Sequence, residues 1–486
     1  MSLHRLRLAH FQAVLIGGTI SVWCASAHSQ PSRPEVTPEL VAPTTDEPVA
    51  PVAALPSVLT SFAPVPGGLT AELAAAKAVK VAPSIDREHA GALHADSIAR
   101  HNKGAFYPRV DLTGRYTRLG SVDTPPLAFG GMTIASPFPQ VLNHYSVGVG
   151  ATMPVSDLFL TILPTYRGAQ AFADAARYQE DVEREAVALR AREGFYRHAQ
   201  ARGGAQVAQD AVKLLESYVV DLQSLVTAGA ASKPDLADAK AQLAQARVGL
   251  ARVRAGVEVT GAVLRRLLAM PDGSELALGE GLADGGAFQP PATYSELLAT
   301  ATNQRPEVKA LRSVVRAREK LVKAKRGGRL PHLAINGNVN YANPNTRVIP
   351  LEAEFSASWD VSLIVSWSPN DFSTSKHETD RAQLDLIKAS SDLRALEDGL
   401  AIAATTAFTE HATALQEITA AGEGLVAAEE GFRARRDLLA AGAASSTEVL
   451  NAETRLRRAQ LELINAHANF RIARSRLMHV VGRAAP

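Results

Sequence analysis

The run Ala228-Gly229-Ala230-Ala231-Ser232 recurs residue for residue as Ala441-Gly442-Ala443-Ala444-Ser445. Downstream of it, Ala239, Leu243, Ala246, Leu250, Ala255 and Leu264 find identical partners in Ala452, Leu456, Ala459, Leu463, Ala468 and Leu477. Upstream, Pro83-Ser84-Ile85 aligns with Pro306-Glu307-Val308, Lys103-Gly104 with Arg326-Gly327, and Pro108 with Pro331. The two sets of matches differ in offset. The loop Leu119–Val141, longer than its counterpart Ala342–Glu354, absorbs the difference. Chance likeness between alanine-rich helices does not produce an identical run at matching places. The body is therefore one unit of roughly 200 residues present twice, and the fold must build the same piece two times.

The duplication divides the chain into a first repeat over 69–290 and a second over 291–486. What precedes them is of another kind. Arg5 and Arg7 head an apolar stretch from Phe11 to Ala25, and Ala25-Ser26-Ala27 is an A-x-A cleavage pattern. This is a secretory signal peptide over residues 1–27. Cys24 is the only cysteine of the 486 residues and falls inside that peptide. A lipidated cysteine calls for a small residue before it, and Trp23 is large. The exported chain then has no thiol, which excludes disulfides, thiolate metal sites and cysteine nucleophiles. Residues 28–68 form a proline-rich, disordered tether, with nine prolines between Pro31 and Pro66. Losing Arg5 and Arg7 cancels the net charge of +2. A chain so balanced is no strongly basic nucleic-acid binder.

Each repeat opens with two alternating segments, over about 109–118 and 143–153, then 332–341 and 354–368. Val110, Leu112, Gly114 and Tyr116 face one way, and Asp111, Thr113, Arg115 and Thr117 the other. The last segment sets Phe355, Ala357, Trp359, Val361, Leu363, Val365 and Trp367 against Ser356, Ser358, Asp360, Ser362 and Ser366. A period of two predicts amphipathic strands. Small wet residues on one face and aromatics at both ends of the apolar face (Tyr116, Tyr145, Tyr341, Phe355, Trp359 and Trp367) match a membrane barrel with aromatic girdles. Phe355 to Trp367 spans roughly 40 Å of strand, or about 30 Å of height at a 40° tilt. Four strands cannot close a barrel, and open edges in lipid are costly. The chain must therefore oligomerise.

Helical hairpins over 166–270 and 375–481 follow the strand pairs. Tyr166 to Ala228 and Ser375 to Ala441 contain no proline, and each unbroken helix would run roughly 95–100 Å. Gly229 and Gly442 end them, and Ser232 with Asp235, then Ser445 with Glu448, predict capping boxes where the chain turns back. The returning arms carry heptads: Leu236, Ala239, Leu243, Ala246, Leu250, Val253, Val257, and Val449 through Val480.

Together, the paired Pro108 and Pro331 strand entries, the two Gly-x-x-Ser-x-x-acid tips and the Leu/Ala heptads resemble the outer-membrane efflux protein family (TolC-like outer membrane factors). The resemblance covers about Leu69 to Gly482. It implies a mainly α fold with membrane β structure: a homotrimer with four strands per chain, a 12-stranded barrel and a periplasmic α-helical tunnel. It implies an exit duct of a tripartite system, passing substrates from an inner-membrane transporter and a periplasmic adaptor protein through the outer-membrane lipid. It implies a periplasmic gate at the hairpin tips, on Gly229, Ser232, Asp235, Gly442, Ser445, Glu448 and Asn451. Asn451 departs from the family's acidic pattern. Ala444 stands where an arginine would lock Asp235.

No enzyme emerges. The thirteen histidines form no H-E-x-x-H pair. Ser373-Thr-Ser-Lys376 has no companion K-T-G, and Gly148-Val-Gly150 has no third glycine. No cofactor, metal site or nucleic-acid partner is expected. The same fold also suits the duct of a type I protein secretion system. A trimeric surface anchor on a coiled-coil stalk would place its strands consecutively at the C-terminus, unlike here. A soluble periplasmic scaffold leaves the face from Phe355 to Trp367 unexplained.

Overall fold

A computed structural model describes residues 65–122, 127–130, 132–134, 140–229, 231–284, 293–349 and 351–482. All belong to one unit, Val52–Pro486. The signal peptide and nearly all of the tether expected from the sequence lie outside the described residues.

In chain order the elements are α1 (Ala71–Val81), α2 (Pro83–Gly104), β1 (Arg109–Arg118), β2 (Leu127–Phe129), β3 (Met132–Ile134), β4 (Asn143–Met153), α3 (Leu163–Thr227), α4 (Lys233–Leu267), α5 (Tyr294–Gln304), α6 (Pro306–Gly327), β5 (His332–Asn343), β6 (Ser356–Ser366), α7 (Pro369–Ala440) and α8 (Ser446–Val481). A π-helical turn, Leu158–Ile162, leads into α3. Within Leu119–Val141, expected to be a loop, lies the small hairpin β2–β3. Strands this short give no readable alternation.

The four long strands form an antiparallel sheet in the order β1-β4-β5-β6. The helices lie side by side in the same order. α2 and α4 flank α3 on one side, α6 and α8 fill the space between α3 and α7, and α7 lies on the far side. α2 feeds β1, β4 feeds α3, α6 feeds β5 and β6 feeds α7. Sheet and helical wall therefore terminate at the same two places.

That position explains the helix sequences. α4 is an edge helix and needs a single seam, so it buries Leu236, Ala239, Leu243, Ala246 and Leu250. α8 sits between two long helices. Besides Val449, Ala452, Ala459, Leu463, Ala466, Ala473, Leu477 and Val480, it buries Leu450, Ile464, Ala468 and Ile472. The second face comes from tertiary context, which a single heptad does not describe. Where α6 ends, Gly327 abuts the π turn so closely that an added Cβ would lie 2.4 Å from the Leu160 carbonyl oxygen. Its repeat mate Gly104 has open space.

At mid-height the segment after α4 is clasped to the helices. Arg471 of α8, 3% exposed, donates through Nε to the Leu282 carbonyl (3.1 Å) and pairs with Glu280 at 3.1 Å. Glu280 also accepts from the Tyr196 hydroxyl (3.1 Å) and from the Ala71 N–H (3.2 Å) at the start of α1. A carboxylate at a helix N-terminus is favoured by the helix dipole. Just before α1, Gly68 crosses Gly279 so tightly that either Cβ would meet backbone below 3 Å.

A second buried polar group lies where α3, α8 and the α5–α6 elbow meet. Glu185 Oε2 and His479 Nδ1 face each other at 3.9 Å, and neither atom has a hydrogen-bond partner. Burial pushes Glu185 up to about 7 and His479 down to about 4. The Arg305 guanidinium, which donates to the His479 carbonyl at 2.6 Å, opposes protonation of the imidazole. Raising the Glu185 pKa above its unfolded value gives a stability contribution that is full below pH 4.5 and lost as pH rises through 7. Glu185→Gln removes that loss. Its melting temperature should rise above wild type between pH 6 and 8 and match it near pH 4.5. A thermal-melting series over that range checks this, and a constant difference would refute it.

Candidate functional site: the strand sheet and the hairpin tips

The sheet register aligns side chains into rows. One face carries the rows Leu112–Val149–Val339–Trp359 and Val110–Ala151–Gly337–Val361. The other carries Thr113–Gly148–Asn340–Ser358 and Asp111–Gly150–Asn338–Asp360. The apolar face is the exposed one: Leu112 is 76% and Trp359 72% accessible, and Val361, Leu363 and Val365 are nearly as open. On β6 the polar residues Ser356, Ser358, Asp360 and Ser362 are more covered than their apolar neighbours. This inverts a water-soluble sheet, and a lipid solvent on the apolar side accounts for it. Among the described residues no helix is long and apolar enough to cross a membrane.

Four of the six predicted girdle aromatics come together. Tyr116 and Tyr145 have ring centroids 5.0 Å apart, Tyr145 and Phe355 6.3 Å, and Tyr341 stacks on Phe355 at 5.2 Å. They mark the end of the sheet away from the helices. Trp367 lies at the helix end, where its indole N–H donates to the Arg329 carbonyl at 3.4 Å. Trp359 belongs to neither cluster. It lies opposite Val339, one apolar-face row nearer the helices than Tyr341.

At the opposite extreme of the molecule are the turns between α3 and α4 and between α7 and α8. Gly229 and Gly442 take φ of 74° and 71°, the left-handed conformation that glycine adopts without a Cβ penalty. Ser232 Oγ accepts from the Asp235 N–H at 3.2 Å, and Ser445 Oγ from the Glu448 N–H at 3.3 Å. The capping is one-sided at the first tip: the Asp235 carboxylate accepts from the Ser232 hydroxyl at 2.7 Å. Glu448 is exposed, 3.8 Å from Arg435. Asn451 is exposed, and its carbonyl accepts from Arg455 at 3.3 Å.

One link between the hairpins has no counterpart in the sequence patterns. The Tyr218 hydroxyl, near the end of α3, hydrogen-bonds the Ser446 hydroxyl at the start of α8. Leu450 joins the same contact, packed with Val212, Leu215 and Leu243. The first hairpin thus holds the tip of the second. The available signal is Tyr218 itself, the last aromatic residue before the turn in an alanine-rich helix.

No group of three or more metal-ligating side chains occurs among the described residues. The sequence profile described as "Outer membrane efflux protein" matches residues 77–269 and 297–483. Among solved structures, the chain is similar to the outer-membrane channel OprN (15% identity, TM-score 0.72, covering 90% of this chain and 98% of that one). It is similar to the open-state MtrE outer membrane channel of Neisseria gonorrhoeae (17%, 0.72, covering 85% and 89%). It is also similar to the CmeC outer membrane channel of Campylobacter jejuni (15%, 0.69, covering 85% and 86%). A search of curated proteins returns no match. The family is one of outer-membrane transport proteins, not enzymes, and it places this chain at the outer membrane. With both halves of the duplication covered by the profile, the chain belongs to the outer membrane efflux protein family and is an outer-membrane channel of the efflux type.

Proposed function

We infer that three copies of this chain form one duct, which passively conducts substrates from an inner-membrane pump and a periplasmic adaptor to the exterior. The observation that carries this is the sheet: four strands, apolar and exposed on one face, polar on the other, with β1 and β6 left as open edges. In lipid those edges must be paired. β6 runs antiparallel to β1 in the four-strand order, so β6 of one copy can pair with β1 of the next. The same contact sets α7 against the α2/α4 flank, where apolar residues such as Ile387 and Ile402 on one side and Leu93, Val248 and Val259 on the other stand exposed. Three copies give twelve strands, as the family resemblance implies.

The hairpin tips are the entrance, and Glu448 contributes three carboxylates to its ring. Planar-bilayer recording of the purified protein tests both points. Wild type should conduct with a preference for cations, and Glu448→Ala should weaken that preference by lowering the negative charge at the narrowest level. An assembled trimer that passes no current, even with Tyr218→Phe loosening the tips, overturns the duct. Unchanged selectivity in Glu448→Ala rejects only the ring.

A further inference from the structure

The connection from β5 to β6 folds back over the polar face of the sheet. Ala342 and Asn345 are both buried, although Ala342 belongs to the polar-face row Arg115–Ser146–Ala342–Ser356. Asn345 Nδ2 donates to the Ser356 carbonyl (3.1 Å), and Asn345 Oδ1 accepts from the Arg347 N–H (3.1 Å). Arg347 then reaches along β6. Its two terminal nitrogens donate to the Trp359 carbonyl and to Asp360 Oδ1, each at 2.7 Å. The other Asp360 oxygen accepts from Asn338 Nδ2 of β5 at 3.1 Å. Both carboxylate oxygens are thus engaged, one by the strand and one by the loop. Beyond the fastening point the connection presents Ile349, 84% exposed.

We propose that this connection is a strap across the exterior mouth of the barrel, that the Arg347–Asp360 pair fastens it, and that the pair makes these two residues determinants of what passes. The proposal rests on the duct reading, because it takes the polar face to line water. Three features support it. The strap covers the polar face and leaves the apolar face open. It lies at the aromatic end marked by Tyr116, Tyr145, Tyr341 and Phe355, away from the helices. The row it reaches, Asp111–Gly150–Asn338–Asp360, carries two carboxylates: Asp111 is held by Arg109 of its own strand (3.0 Å), and Asp360 by a residue of the connection. Releasing the strap therefore widens the mouth and uncovers a negative charge in one event. A charged ring and a width at one level are the means by which a pore selects.

The test places a cysteine below the fastening point. Ser362→Cys lies on the polar face of β6, nearer the helices than Asp360. Intact cells carrying the full-length trimer are treated from outside with a small hydrophilic maleimide or with a polyethylene glycol maleimide. Labelling of the parent, whose one natural cysteine is Cys24, sets the background. The small reagent should label Ser362→Cys equally with and without Arg347→Ala, which shows that the barrel is assembled. The polymer should label severalfold faster in Arg347→Ala and in Asp360→Asn. In bilayers Arg347→Ala should shift the reversal potential towards cation preference, and adding Asp360→Asn should reverse that shift. Equal polymer labelling in all backgrounds overturns the strap. Exclusion of the small hydrophilic reagent from an assembled trimer refutes the water-lined face, and with it the duct reading.

Discussion

Val361→Arg should abolish stable insertion into the outer membrane, whereas Ser362→Arg, one residue further along, should insert and assemble. Val361 sits in the apolar row Val110–Ala151–Gly337–Val361, near the middle of the sheet, and is exposed in the single chain. An arginine facing lipid at mid-bilayer costs about 2–4 kcal/mol on a barrel strand. A trimer carries the substitution three times, so the penalty is roughly 6–12 kcal/mol for each assembly. Ser362 points to the polar side, where a guanidinium stays hydrated. The share of protein that resists extraction by alkaline urea, and the share that migrates as trimer, measure the outcome. Equal insertion of the two variants would show that the apolar face does not meet lipid.

The second large effect is expected far from the membrane. Arg471→Ala removes a buried guanidinium that serves two main-chain carbonyls and Glu280 together. Removing one partner of a buried ion pair costs about 3–5 kcal/mol, because the other charge keeps its desolvation penalty and loses its compensation. Glu280 would still face the Tyr196 hydroxyl and the start of α1, so the damage should spread to the segment that α1 anchors. The exposed helical pair Arg458–Glu462 provides the comparison. Arg458→Ala should change stability by about 0.3–0.5 kcal/mol. Denaturation midpoints of the assembled protein distinguish the two, and an Arg471→Ala midpoint equal to that of Arg458→Ala would remove the clasp from the account.

Much of this architecture was legible because it rests on periodic patterns. Alternation placed the strands, and the repeated Gly-x-x-Ser-x-x-acid run placed the turns. What escaped was side-chain pairing over long sequence separations. Tyr218 and Ser446 lie on different hairpins, and the lone aromatic near the end of α3 does not name its partner. Arg347 looked like any polar loop residue, since nothing in a linear sequence says that a loop folds back along its own strand. The second apolar face of α8 was overlooked for a related reason. Ile464, Ala468 and Ile472 are apolar at helical spacing, but a single heptad accounts for one neighbour and α8 has two. Of the aromatics on the apolar face, Tyr116, Tyr145, Tyr341 and Phe355 cluster, whereas Trp359 lies one row nearer the helices, opposite Val339.

The matching order of sheet and helical wall bears on how many bodies must meet to make a ring. Each half of the chain supplies two strands and one long hairpin, so the proposed duct has six nearly equivalent sectors. A sector encoded alone would require six independent encounters, and each association loses about 4–15 kcal/mol of translational and rotational freedom. Fusing sectors in pairs makes every other seam intramolecular, where the linker sets a high effective concentration. It also frees the two sectors of a pair to diverge. The strap fastened by Arg347 belongs to the second repeat, and the clasp joins Arg471 of the second repeat to Glu280 of the first. The ring can thus keep sixfold regularity in its walls and threefold chemistry at its mouth.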